Sequence, residues 1–188
     1  MREISFGQDG SFSWESMTER HNADLANGLG NLASRVLAML ASSFDGVVPE
    51  PVTPGAESDL PSVIADALER YDEHMLAVRL QPALVAVWDI VARANHYLVE
   101  KEPWKLAKDP SNRDEVASVL YAAAETLRVL AIAIAPIMPA AAARLWQQLG
   151  MGEPLGEQRL PVAGAWGWLA PGTRTTKGES LFPRLDAD

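Results

Sequence analysis

Two groups of residues in this 188-residue chain have types and spacings suited to recognition chemistry. The first is a polar line, Asp24, Asn27, Asn31 and Arg35, at steps of three, four and four. On a helix these side chains share one face. An amide and a guanidinium one turn apart present several donors and an acceptor side by side, which is what reading base edges requires. Spacing alone favours a plainer reading, a solvated line held by an i,i+4 hydrogen bond. The second group is the run Lys101-Glu102-Pro103-Trp104-Lys105-Leu106-Ala107-Lys108. A large aromatic just after a proline can stack on an unpaired base, for about 1–3 kcal/mol, and Lys101, Lys105 and Lys108 are placed to meet phosphates. Here too the residues alone favour a plainer reading, a tryptophan plugging the end of a helical bundle.

Catalytic chemistry finds little support. There is no glycine-rich phosphate loop, no G-x-S-x-G and no H-E-x-x-H. His21, His74 and His96 lie far apart and read as surface histidines. Asp66, Glu69, Asp72 and Glu73, with Arg70 among them, read as a solvated helix face. The absence of cysteine excludes a disulfide framework, a thiolate metal site and a cysteine nucleophile. The loop Thr173-Arg174-Thr175-Thr176-Lys177-Gly178 is polar but carries no phosphate signature.

The net charge of -9 argues against gripping nucleic acid by bulk charge. Along the chain the charge is uneven. Residues 93–113 hold five basic side chains against three acidic, a net of +2 around Trp104, and the other residues sum to -11. With 48% hydrophobic and 22% charged residues the composition is globular. The most apolar stretch, Val129 to Ala143, is shorter than the ~18–20 residues of a membrane span and contains Pro136 and Pro139. It reads as a buried core helix. The first residues are too polar for a secretory signal, so the expected location is the cytoplasm, with no membrane partner.

The elements that position the two groups are helices. Leu25, Leu29, Leu32, Val36 and Leu40 predict a helix from about Ser13 to Ser43, with Gly28 and Gly30 marking a break or a close backbone approach. A second helix starts near Leu60, with Val63, Ile64, Ala67, Leu68, Tyr71 and Met75 inward. A third runs from about Leu80 to Val99, with Trp88 in its core stripe, Asn95 as a satisfied buried amide, and Asp89 pairing with Arg93 on the outer face. The segment 100–110 is a connector with one turn of helix. Asn112 and Glu115 resemble a capping box opening a fourth long helix, striped by Val116, Val119, Leu120, Ala123, Leu127, Leu130 and Ile134. A last helix spans about Ala140 to Leu149. Trp14 and Trp146 are expected to be packing residues, and Trp166, Trp168 and Phe182 to anchor the remaining tail. The expected fold is an all-α antiparallel bundle with an irregular C-terminal wrap.

Both groups sit in longer motifs that resemble a known family. Residues 20–35, from Arg20-His21-Asn22 to Asn31-Leu32-Ala33-Ser34-Arg35, closely resemble the start of the anticodon-binding domain of methionyl-tRNA synthetases. So does Ala94-Asn95-His96-Tyr97-Leu98-Val99-Glu100-Lys101-Glu102-Pro103-Trp104. Residues 2–13 look like the stretch leaving the catalytic half, and Leu181-Phe182-Pro183-Arg184-Leu185-Asp186 is similar to the end of compact bacterial forms. The alanine- and arginine-rich style resembles that of actinobacterial members of the family.

The resemblance implies that residues 1–12 are a remnant of the connection to the catalytic half, 13–149 the helical anticodon-binding domain, and 150–188 a tail packed on it. It implies binding of tRNA(Met) through its CAU anticodon. Asn31 and Arg35 would hydrogen-bond anticodon bases, and Trp104 would stack on the first, with Pro103 fixing its approach. The family's H-x-G-H and K-M-S-K-S motifs and its zinc-bearing insert have no counterpart here. The chain is therefore expected to be inactive alone and to need no cofactor, with ATP and methionine binding the catalytic half, its second partner. Two rivals remain at this level: the helical domain of another class I synthetase, such as the cysteinyl or isoleucyl enzyme, and a helical protein-interaction module without RNA affinity.

Overall fold

A computed structural model describes residues 13–52 and 58–186. The connection to a catalytic half expected at residues 1–12 lies outside the described residues. The first helical rod is continuous from residue 14 to residue 44 but changes winding twice. Helix α1 (Trp14–Arg20) is opened by Ser13, whose hydroxyl accepts from the Ser16 N–H at 3.1 Å. A π-helical stretch follows over His21–Gly30, and α2 (Asn31–Phe44) completes the rod. The rod passes through Gly28 and Gly30 without a break, and the neighbours lying against them from elsewhere in the chain are side chains, Val91 and Trp88 at Gly28 and Phe182 at Gly30. The rod ends at Asp45 and Gly46, both in the left-handed region.

Helices α3 (Leu60–Leu76) and α4 (Leu80–Lys101) form a hairpin. After α4 come a one-turn helix, α5 (Pro103–Leu106), a 3₁₀ turn (Pro110–Asn112), and α6 (Arg113–Ile134). Prolines 136 and 139 separate α6 from α7 (Pro139–Gln148). Beyond it, two 3₁₀ turns, Leu155–Glu157 and Val162–Gly164, interrupt an extended tail. Among the described residues there is no strand, only an isolated antiparallel bridge between Val47 and Arg174.

The core centres on α6. It is long and apolar enough to cross a membrane, yet 94% of its apolar window is buried inside the protein. Helices α2, α3, α4 and α7 surround it, and small residues such as Ala123, Ala124 and Ala131 let them approach closely. From α3, Ile64, Ala67, Leu68 and Tyr71 are buried, and the Tyr71 hydroxyl donates to the Ala133 carbonyl at 2.8 Å.

Several local expectations are corrected. Asp89 and Arg93 do not pair with each other. Asp89 meets Arg70 of α3 at 3.0 Å, and Arg93 meets Asp59 and Glu100. Asn112 and Glu115 form no capping box. Asp109 caps the preceding 3₁₀ turn instead, accepting from the Ser111 N–H at 2.9 Å. Trp14 is 72% exposed, whereas Trp146 is buried and donates to the Glu153 carbonyl at 2.7 Å. Of the tail aromatics, Phe182 is buried and Trp166 packs on the core, while Trp168 is half exposed.

Candidate nucleic-acid interface

The two sequence groups meet at one end of α4. Helix α4 ends on Glu102, a non-glycine residue at φ 42°, whose N–H still reaches the Leu98 carbonyl at 3.1 Å. Left-handed backbone at such a residue costs about 1–2 kcal/mol. It turns the chain sharply, so that Pro103 opens α5 and Trp104 follows one residue later. Pro103 is buried and fixes φ at this corner. Trp104 is not a bundle plug, since 36% of it remains exposed. The Arg35 guanidinium lies 4.6 Å from the centroid of its ring. Asn31, one turn before Arg35, and Asn27 are exposed.

Asp24 leaves the polar line. It is 27% exposed, lies 3.8 Å from Arg20, and its backbone carbonyl accepts from Trp88 Nε1 at 3.3 Å. Trp88 is therefore only partly buried. Together with Ala23, Gly28, Val91 and Asn95 it lines a shallow cleft of about 260 Å³ between the π-helical stretch and α4. Asn95 is partly buried and satisfied: Nδ2 donates to the carbonyls of Val91 at 3.0 Å and Gly28 at 3.4 Å. Sequence reasoning placed these two residues on a core stripe and missed that they hold the carbonyls of the first rod. The available signal was their seven-residue spacing, which puts both on the stripe of Val91.

The basic collar is largely paired. Arg93 lies 2.7 Å from Asp59 and 2.9 Å from Glu100. The hydrogen bond from Arg93 holds the Asp59 carboxyl below its usual value, and the same bond raises the Arg93 guanidinium. Lys105 pairs with Glu102 at 2.6 Å, and His96 lies 3.1 Å from Glu100. Lys108 is exposed, and Lys101 is partly buried. Arg113, also exposed, lies over the Phe44 ring at 4.6 Å and donates to the Ser43 carbonyl. Asp59, just before α3, brings a carboxylate into the patch and Arg35 brings a guanidinium, so its net charge stays at +2. A surface of this kind offers an aromatic platform, a guanidinium and exposed amides, with few unpaired cations. It suits stacking and edge hydrogen bonds better than capture of phosphate by charge.

Comparison with known proteins agrees with this character. A family model for the anticodon binding domain of methionyl tRNA ligase matches residues 48–188, and one for class I tRNA synthetases (M) matches residues 1–37. The methionine–tRNA ligase of Streptomyces coelicolor is 42% identical over 196 residues, covering 99% of this chain and 36% of that protein. The ligase of Caldanaerobacter subterraneus is also 42% identical, over 100% of this chain and 29% of its own length. The crystal structure of apo Mycobacterium tuberculosis methionyl-tRNA synthetase matches with a TM-score of 0.85 at 35% identity, over 100% of this chain and 38% of that one. The chain thus spans about a third of the length of the relatives it matches. Although Asn31 and Arg35 precede residue 48, Leu32, Val36 and Leu40 of the same helix are fully buried in the bundle. The chain belongs to the methionyl-tRNA synthetase family, as its anticodon-binding domain.

Proposed function

We propose that this domain binds tRNA(Met) by reading its CAU anticodon. The observation that carries the reading is the stacking of Arg35 on Trp104 at 4.6 Å. It joins two motifs 69 residues apart into one patch whose chemistry suits an unstacked anticodon loop. In this reading Trp104 stacks on the first anticodon base from the corner set by Pro103. Asn31 and Arg35 hydrogen-bond base edges, and Lys101, Lys105 and Lys108 meet the loop phosphates. Lys105 reaches a phosphate by leaving Glu102. A wrong base leaves the amide and guanidinium unpaired, and discrimination follows from that loss.

The second partner is the catalytic half of the ligase, which would hold ATP and methionine and charge the tRNA in the cytoplasm. No cofactor enters the step assigned to these residues.

Filter binding with tRNA(Met) and single-base anticodon variants tests the reading. A preference for CAU of about 1–3 kcal/mol per changed base is expected. Equal binding of all variants, or a preference for a cysteine or isoleucine anticodon, overturns it.

A further inference from the structure

The π-helical decade His21–Gly30 needs an external cause, because i→i+5 winding rarely extends beyond a single turn. Two neighbours grip it. From α4, Trp88 and Asn95 donate to the carbonyls of Asp24 and Gly28. From the other side comes the closing segment of the chain. Asn22 acts on it as a strand partner would: Nδ2 donates to the Leu185 carbonyl at 2.8 Å, and Oδ1 accepts from the Leu185 N–H at 2.9 Å. Two residues earlier in the segment, the Pro183 carbonyl oxygen lies 2.8 Å from His21 Nε2.

Phe182 completes the grip, and it touches both ends of the decade. Its ring meets His21 edge-on, with centroids 6.3 Å apart. It also lies against Gly30, where a Cβ would stand 3.5 Å from Phe182 Cδ2 and 3.0 Å from the Leu25 carbonyl oxygen. The missing side chain at Gly30 lets the carbonyl five residues back come close, and the ring fills the space outside it. The segment is itself anchored on α7, where Arg144 donates to the Leu181 carbonyl and Gln148 to that of Glu179, both at 2.9 Å.

We infer that residues 181–185 are a clamp that sets the winding of the reading helix, and that Asn22 and Phe182 are positioning residues for base discrimination. The discrimination role rests on the anticodon reading above. Asn31 directly follows Gly30, and its N–H is shared between the carbonyls of Ala26 and Gly28 at the exit of the π winding. A change of winding at Gly30 therefore rotates the Asn31 amide relative to Trp104. Base-edge hydrogen bonds tolerate displacements of only about 0.5 Å or 10–20°.

The test uses the full chain with Asn22→Leu and, separately, Phe182→Leu. Amide hydrogen exchange is followed at residues 21–31 and in α6, and the affinity ratio is measured between a CAU stem-loop and a single-base variant. The expected result is exchange about tenfold faster in residues 21–31 with α6 unchanged, together with a CAU preference reduced about fivefold or more. A merely structural defect would speed exchange in α6 as well and leave the ratio alone. Unchanged exchange in residues 21–31 overturns the clamp, and faster exchange with an unchanged ratio overturns the discrimination role. If the unmodified chain shows no CAU preference, the anticodon reading fails and takes the discrimination role with it, while the exchange data still decide the clamp.

Discussion

Arg128 holds Glu125 through two parallel hydrogen bonds, Nε to Oε2 at 2.9 Å and Nη2 to Oε1 at 2.8 Å, with both side chains at most 1% exposed. The pair also completes the tail. Glu125 accepts from the N–H groups of Gly167, Trp168 and Leu169, and Arg128 donates to the carbonyls of Ala163 and Ala165. Residues 163–169 lie against α6 with little regular structure of their own, so these side chains supply partners that a helix or strand would otherwise give. Glu125→Ala is expected to cost about 3–5 kcal/mol, because it strands a buried guanidinium and three N–H donors. Replacing both residues with leucine should not recover stability, since the backbone groups of the tail stay unpaired. Urea unfolding measures both variants, and a loss under about 1 kcal/mol for Glu125→Ala would refute the role given to the pair.

Gly150 offers a second test of the same wrap. It lies at φ 75°, and a Cβ there would run into the carbonyl oxygen of Arg174. That carbonyl is backbone, in a segment held by Thr175 N–H to Gly46 at 2.7 Å and Thr176 N–H to Gln148 at 2.8 Å. It has little room to retreat. Gly150→Ala is expected to destabilise by about 2 kcal/mol or more, from strain at positive φ combined with the clash. Thermal melting checks it, and an unchanged midpoint counts against the tight tail contact.

These contacts also show what the sequence could and could not reveal. Helix positions were legible because three- and four-residue spacing of leucines and valines reports burial directly. The π winding was not, since the spacing of Leu25, Leu29 and Leu32 is compatible with either ladder and the cause lies at Phe182 and Asn22. Glu125 and Arg128 drew no notice because a long apolar run reads as uniform core, and their partners come from more than thirty residues away. Asp89 and Arg93 have the right spacing to pair, but Arg70 on α3 takes Asp89, and Asp59 before α3 and Glu100 later in α4 take Arg93. Of the site, the residue types followed from the motifs, but the contact of Arg35 with Trp104 did not, because spacing within each motif says nothing of a meeting across 69 residues. Nor did the pairing of Arg93 with Asp59, which lies 34 residues away in the sequence.

The Asp59–Arg93 pair gives the domain a predictable acid limb. Arg93 reaches Asp59 at 2.7 Å and lowers its carboxyl pKa from the ordinary 3.8. A carboxyl depressed in the folded state stabilises the fold above its unfolded pKa, and the contribution is lost as pH falls through the folded value. Asp59 is half exposed, so the pair is worth roughly 0.2–1 kcal/mol. Asp59→Asn is expected to lower stability by that amount at pH 7 and to match the parent once the pH has fallen below the depressed carboxyl pKa. Urea midpoints at the two pH values decide it. A difference that grows toward acid reverses the sign and removes the pair as its cause.

The sharpest prediction concerns Arg35 and Trp104 as a unit. Arg35 already covers part of the indole, so a base stacking on Trp104 shares the ring with the guanidinium or displaces it. Trp104→Ala is expected to weaken tRNA(Met) binding by about 1–3 kcal/mol. Arg35→Gln should chiefly lose discrimination between CAU and a changed anticodon. Because the guanidinium stacks on the ring, the two losses should not add. A double-mutant cycle on binding should show coupling of about 0.5–1 kcal/mol, the range for an exposed cation–π pair. Additive losses would mean that the two side chains meet the RNA independently, and an unchanged affinity in a folded Trp104→Ala variant would remove the stacking role altogether.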